Sequence, residues 1–317
     1  MGIYQQQLPQ LNGLTCITDG GLETDMIFNK NLNLPEFAAY SLLQNEEGYA
    51  VLFDYYKDYA QLARKYKLGL VLETPTWRAS ADWARKLGDS QSTLRELNIA
   101  AVELIGHVRD EFATSESPII ISGNIGPRGD GYTPENLMSA QEAQNYHLAQ
   151  IESFSECEVD LISALTLNYV DEAIGITQAS LRVNIPICIA FTVETDGKLP
   201  TGETLEAAIK AVDEATDAGP VYYMINCAHP SHFSHLLSKG GEWLKRLGGI
   251  RANASCMSHE ELDNSEVLDD GHPGDFGKEL KAIHDQTKSI TVLGGCCGTD
   301  TRHIEEICIN LSKQAPL

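Results

Sequence analysis

Two cysteines stand side by side in LGGCCGTD, residues 293–300, and a third, Cys227, lies in MINCAHP, residues 224–230. Three soft thiolates gathered at one place make a Zn²⁺ site with its fourth position open, the pattern of a catalytic rather than a structural zinc. Sulfur ligands favour zinc over magnesium or calcium. The pair by itself has two other readings. Cys296 and Cys297 are packed core thiols, or they form a redox-active vicinal pair.

Other polar residues stand in similar settings. Asp19-Gly20-Gly21 follows one apolar run, with Asp19 placed either to bind a substrate amine or to cap the next helix. Glu73-Thr74-Pro75-Thr76 closes a second run, where Glu73 either holds a polar ligand or lies buried in a barrel floor. Glu194 sits in TVETDGKLPTGET, where Asp-Gly is also a turn signal. Asn226 precedes Cys227. His229 reads as a supporting or loop residue rather than a ligand. The other histidines show no usable pattern.

All these residues lie at the ends of short apolar runs. There are eight: TCITDGG (15–21), LGLVLETPT (68–76), PIIISGNIG (118–126), DLISALTL (160–167), PICIAFTV (186–193), VYYMINCAHP (221–230), GGIRANAS (248–255) and ITVLGGCCGT (290–299). Segments with helical periodicity separate them, such as FDYYKDYAQLARKYK and GETLEAAIKAVDEATDAG. Near-continuous apolar runs suit strands buried on both faces, as parallel strands are. Strand–helix alternation repeated eight times predicts an α/β fold, a (β/α)₈ TIM barrel, as one domain over residues 1–317. A doubly wound sheet is the runner-up, but TDGGLETD lacks the spacing of a dinucleotide fingerprint. In such barrels the strand C-termini form the active face, so Cys227 after run six meets Cys296 and Cys297 after run eight. Residues 256–277 read as a long acidic surface loop with one helical turn.

The bulk properties remove several function classes. The net charge is −22, from 45 acidic and 23 basic residues, which argues against nucleic acid and anionic membrane as partners. No stretch approaches the ~20 apolar residues of a membrane span, and the N-terminus does not read as a signal peptide. The expected location is the cytoplasm, where the eight scattered cysteines stay reduced.

Taken together, Asp19-Gly20-Gly21, Glu73-Thr74-x-Thr76, Gly123-x-x-Gly126-Pro127, Asn226-Cys227-x-x-Pro230 and Gly294-Gly295-Cys296-Cys297-Gly298-Thr299 resemble the homocysteine S-methyltransferase family, over nearly the whole chain and in order. The resemblance implies a zinc-dependent barrel with Cys227, Cys296 and Cys297 as metal ligands. It implies transfer of a methyl group from a small sulfonium or ammonium donor to homocysteine, giving methionine, with S-methylmethionine or S-adenosylmethionine favoured. Asp19, Gly20, Glu73, Thr74, Glu194 and Asn226 are the expected substrate contacts. No catalytic residue beyond the zinc site is needed, because the metal deprotonates the acceptor sulfur. The chain ends soon after the eighth unit, so the donor is expected to be a small molecule used directly.

Two positions depart from the family. Leu165 stands where a Glu holds the homocysteine amino group, and Pro75 replaces an Asn. Glu194, at the end of the neighbouring fifth run, is expected to take over from the missing Glu. The departures also leave a different thiol or selenol acceptor, or a non-catalytic zinc- or thiol-binding barrel, as alternatives.

Overall fold

The computed structural model describes residues 1–265 and 267–313. Eight strands, β1 (Cys16–Thr18), β2 (Gly69–Glu73), β3 (Ile119–Ile125), β4 (Leu161–Leu167), β5 (Ile187–Phe191), β6 (Tyr222–Asn226), β7 (Leu247–Ala252) and β8 (Val292–Gly295), pair in parallel in chain order. β8 pairs with β1, Cys16 opposite Val292, and closes the barrel. Each strand falls within its apolar run, except that β7 begins one residue early. Around them lie α1 (Glu46–Tyr66), α2 (Ala81–Leu87), α3 (Gln91–Phe112), α4 (Ala140–Ser155), α5 (Val170–Arg182), α6 (Leu205–Thr216), α7 (Pro230–Leu237), α8 (His259–Asp263), α9 (Pro273–Gln286) and α10 (Thr301–Ser312).

Helix starts are written locally. Asn45 accepts from Gly48 N at the start of α1, and Ser90 from Thr93 N at the start of α3. Ser139 and Glu142 form a capping box on α4. Each cap satisfies backbone donors that the helix itself leaves free.

The strands have two apolar faces because a strand alternates its side chains. Ile17, Leu70, Leu72, Ile119, Ile121, Ile187 and Ile189 belong to the large core shared with the helices. Cys16, Val71, Ile120, Leu161, Cys188, Tyr222, Met224 and Val292 fill the barrel interior, and Leu8 of the N-terminal segment packs among them. Continuing the inward register toward the strand C-termini changes the chemistry. Val71 gives way to Glu73, Ile120 to Ser122, and Leu161 to Ser163, whose hydroxyl lies 2.6 Å from that of Ser122. On β7 the inward position is Arg251, 4% exposed. The apolar layers hold the barrel closed, and the polar layer faces the mouth.

The expected loop at 256–277 needs correction. Its one helical turn is α8, but His259 at the start of that turn is buried against the barrel mouth, and α9 begins at Pro273.

The two glycines before the cysteine pair reflect close approach. A Cβ on Gly294 would overlap the Thr18 hydroxyl, and one on Gly295 would overlap that of Thr299. Gly106, inside α3, meets no atom within 4 Å of such a Cβ. Gly294→Ala should therefore lower stability by ~1–3 kcal/mol through overpacking. Gly106→Ala should raise it by ~0.5–1 kcal/mol. Calorimetric melting of both variants checks this, and equal melting temperatures would show that the β1–β8 contact relaxes freely.

Candidate metal centre and substrate cavity

Cys227 follows β6 directly and adopts φ 56°, the left-handed region that residues with a Cβ seldom enter. One backbone hydrogen bond and one from a side chain hold it there. Its N–H donates to Arg251 O (3.1 Å), and its carbonyl accepts from His259 Nε2 (2.8 Å). Asn226, just before it, grips Thr166 twice: Asn226 Oδ1 accepts from Thr166 N and Asn226 Nδ2 donates to Thr166 Oγ1, both at 2.8 Å. Thr166 is itself left-handed, φ 61°, where the β4–β5 register breaks between Ala164 and Leu167. The amide thus fixes one costly backbone position, and the residue that carries it stands directly before the other.

Cys296 and Cys297 occupy the turn after β8. Cys296 N donates to Ala252 O (2.7 Å), Cys297 O accepts from Ala254 N (3.0 Å), and Gly298 supplies the positive φ that ends the turn. Cys227 Sγ lies 2.9 Å from Cys296 Sγ and 3.6 Å from Cys297 Sγ. All three sulfurs fall within 4.8 Å of one another, the one such convergence of His, Cys, Asp or Glu ligand atoms among the described residues. The Cys296 thiol is held well below its ordinary value because both neighbouring cysteines hydrogen-bond to it and the Arg251 charge is close. Cys227 and Cys297 are pushed up.

Tyr132, from the loop after β3, covers the cluster. Its Oη lies 3.2 Å from Cys227 Sγ and 3.8 Å from Cys297 Sγ, and its ring stacks on His259 with centroids 3.9 Å apart.

Behind the cysteines lies a buried ion network. Arg251 Nη2 is 3.0 Å from Asp19 Oδ1, and Nη1 is 3.7 Å from Glu73 Oε1. The same guanidinium donates to Gly295 O (3.0 Å) and Gly20 O (3.1 Å). Tyr55 donates its hydroxyl proton to Asp19 Oδ2 (3.2 Å). Burial raises the Asp19 carboxyl, and Arg251 opposes that. Burial pushes Glu73 up to about 7 despite Arg251 and hydrogen bonds from Ser122 and Ser163.

Cysteines and network open on one cavity of about 230 Å³. Five of the six expected substrate contacts, Asp19, Gly20, Glu73, Thr74 and Asn226, line it beside Cys227, Cys296 and Cys297. Their roles differ. Thr74 Oγ1 is engaged by Thr76 Oγ1 (2.6 Å) and Asn124 N (2.8 Å), so its hydroxyl knits β2 to β3. Glu73 lies at the mouth end of β2, not in the barrel floor. Asp19 caps no helix; Gly21 holds that position.

Glu194 departs from expectation. It does not line the cavity; its carboxylate pairs with His259 Nδ1 at 3.1 Å and is 35% exposed. Beyond Phe191 the chain leaves the strand and turns, with Gly197 N donating to Glu194 O (2.8 Å), so strand register no longer aims its side chain. His229 caps α7 through Nδ1, which accepts from Ser231 N, in keeping with a supporting role.

Arg251, Tyr132, His259, Glu23 and Arg78 were not foreseen. Arg251 had a legible signal, a charged residue at an inward position of an otherwise apolar run. The others reach the site from the segments that connect strands, His259 at the start of α8.

A closed (β/α)₈ barrel with three thiols converging on a cavity at its C-terminal mouth is an enzyme scaffold with a corner that could hold a soft metal. The homocysteine S-methyltransferase family profile matches residues 16–311, so the chain belongs to that family and is a methyltransferase. It is similar to Homocysteine S-methyltransferase 1 of Arabidopsis thaliana, 24% identical over 324 residues covering 95% of each chain. It is also similar to Betaine–homocysteine S-methyltransferase 1 of Rattus norvegicus, 25% identical over 268 residues, 77% of this chain and 61% of that one. The metallated form of the homocysteine methyltransferase MmuM from Escherichia coli shares the fold, with TM-score 0.72 and 17% identity over 96% of this chain and 98% of that one.

The position of Glu73 has a consequence for pH. Its folded-state value, about 7 against an ordinary 4.5, means that the folded protein holds a proton the unfolded chain releases. That stabilisation is complete below the unfolded value and is lost as pH rises through about 7. Wild type should therefore lose melting temperature relative to Glu73→Gln between about pH 5 and about pH 8. A difference that stays constant across that interval would mean that Glu73 is ionised throughout.

Proposed function

We propose that this barrel is a zinc-dependent S-methyltransferase that moves a methyl group from a small sulfonium donor to homocysteine, giving methionine. The observation that carries the reading is the convergence of Cys227, Cys296 and Cys297 on the cavity wall. The donor set suits zinc: the three sulfurs lie within 4.8 Å of one another, and soft thiol ligands of this number would hold the ion with one position left open. The chemistry that a bound zinc supplies is deprotonation and orientation of the acceptor sulfur at neutral pH.

The chain's own residues do the rest. Cys227, Cys296 and Cys297 would hold the metal. Asn226 and Arg251 set the backbone that aims those thiols. Tyr132 places a hydroxyl proton beside Cys227 and Cys297, and its ring with His259 shields that side from water. Asp19, Gly20, Glu73 and Thr74 form the wall against which substrate is positioned, and such positioning is a large part of the rate gain in a two-substrate reaction. The acceptor thiolate attacks the methyl carbon in line; the new S–C bond forms as the donor C–S bond breaks, and the donor leaves as a neutral thioether. No protein base is required.

The reading treats the chain as one barrel domain acting on small molecules in the cytoplasm; among the described residues no helix is long and apolar enough to cross a membrane. Leu165 on the cavity wall favours a second reading, in which the acceptor is another small thiol or selenol.

Elemental analysis of anaerobically purified protein should find about one zinc per chain, lost in Cys297→Ser. Cys227→Ala should abolish methyl transfer from S-methylmethionine to homocysteine and leave the thermal transition in place, because the barrel does not need its rim metal to fold. Full zinc occupancy in Cys297→Ser, or magnesium or iron in place of zinc, would overturn the assignment.

A further inference from the structure

Most buried or half-buried charges in this protein are matched. Arg109 meets Asp160 and Glu158, Arg246 meets Asp213, and Arg251 meets Asp19 and Glu73. Two charged residues on the cavity wall are exceptions. Arg78 has no ion-pair partner among the described residues, and its Nε and Nη1 are shut off from solvent without a hydrogen bond. Glu23, across the β1 turn, has neither an ion-pair nor a side-chain hydrogen-bond partner among them. The two are not within ion-pair distance of each other.

The Arg78 guanidinium is held without a carboxylate. Its central carbon lies 3.5 Å from the ring centroid of Trp83 and 4.6 Å from that of Trp77. Aromatic faces fix such a plane and leave its edge donors free. The nearest acids, Asp130, Glu23 and Glu36, act on it only at longer range. A planar fork with buried, unused donors is a receptor for a planar anion. Burial pushes Glu23 up to about 7, as expected of a carboxyl that lacks a cation.

We propose that Arg78 and Glu23 grip the two charged ends of an α-amino acid, Arg78 taking the carboxylate and Glu23 the ammonium. This rests on the amino-acid-thiol reading above and supplies what Leu165 lacks. Asp19 and Glu73 are committed to Arg251, and Glu194 is turned to His259, so Glu23 is the uncommitted acid beside the cysteines. Both homocysteine and S-methylmethionine carry the same zwitterion, and the experiment separates the two sources.

KM is measured for each substrate with the other saturating, in wild type, Arg78→Met and Glu23→Gln. Losing a charge-assisted contact should raise KM about tenfold or more, with kcat little changed, for whichever substrate the clamp holds. If that is the acceptor, Arg78→Met should not alter KM for 3-aminopropanethiol, which lacks the carboxylate, and Glu23→Gln should not alter KM for 4-mercaptobutanoate, which lacks the amine. Arg78→Lys should recover part of the loss. If the donor's KM moves instead, the clamp holds the sulfonium amino acid. Because Arg78 is an unpaired charge, Arg78→Met should melt no lower than wild type. Calorimetric titration with methionine, 4-(methylthio)butanoate and 3-(methylthio)propylamine repeats the comparison without turnover. Variants that weaken all three ligands equally, or none, overturn the clamp while leaving the methyltransferase reading intact. Selective loss of methionine binding in a protein with no turnover on any thiol overturns the reading and leaves the clamp.

Discussion

One buried guanidinium organises the mouth of this barrel. Arg251 reaches from β7 to Asp19 and Gly20 after β1, to Glu73 at the end of β2, and to Gly295 at the end of β8. Its backbone carbonyl accepts from Cys227 N. The residue therefore positions both halves of the cysteine cluster, Cys227 through its main chain and Cys296 through the carbonyl just before it. Desolvating three charges is costly, and mutual attraction offsets the cost only where geometry and added hydrogen bonds are good. Here two carbonyls and the Tyr55 hydroxyl supply those bonds. A hydrophobic replacement would close the same space, but it would not orient two carboxylates and two carbonyls that belong to three different strands.

The cluster is precise because its supports are rigid and shared. Cys227 and Thr166 both adopt left-handed backbone angles, and Asn226 links them. Such angles persist only where the surroundings over-determine them. Leu165, on the cavity wall, stands immediately before Thr166, so the strained stretch of β4 shapes that wall as well as the thiol positions. His259 adds a further tie, bonding the Cys227 carbonyl on one ring edge and Glu194 on the other while its face carries Tyr132.

This arrangement explains what the sequence revealed and what it hid. Parallel strands buried on both faces leave apolar runs whose ends mark the barrel mouth, so the eight strands and the meeting of Cys227 with Cys296 and Cys297 were legible. Register predicts direction only inside a strand. Glu73, the last residue of β2, points inward as its parity requires. Glu194 shares the inward parity of Cys188 and Ala190 but lies past the end of β5, where a turn redirects it. Tyr132, Glu23 and Arg78 come from the segments between strands and the main helices, whose paths depend on contacts far away in sequence. Leu165 was recognised as a missing carboxylate, but finding a replacement required knowing which acids were already paired.

The division of labour within the barrel sets how far such substitutions can go. Stability resides in the two apolar shells, one inside the strands and one between strands and helices, and both lie away from the mouth. The mouth can therefore hold groups that would be unacceptable in a core: an unpaired Arg78, a Glu73 near neutrality, three adjacent thiols and two left-handed residues. Moving the ammonium-binding acid from β4 to the turn after β1 disturbs neither shell, because Leu165 and Glu23 both face the cavity. What such a move must preserve is local charge balance. Asp19 and Glu73 share the single positive charge of Arg251, so an added acid alone would bias the cavity toward simple cations. Arg78 offsets that bias, so that Arg78 and Glu23 together match the two ends of a zwitterion.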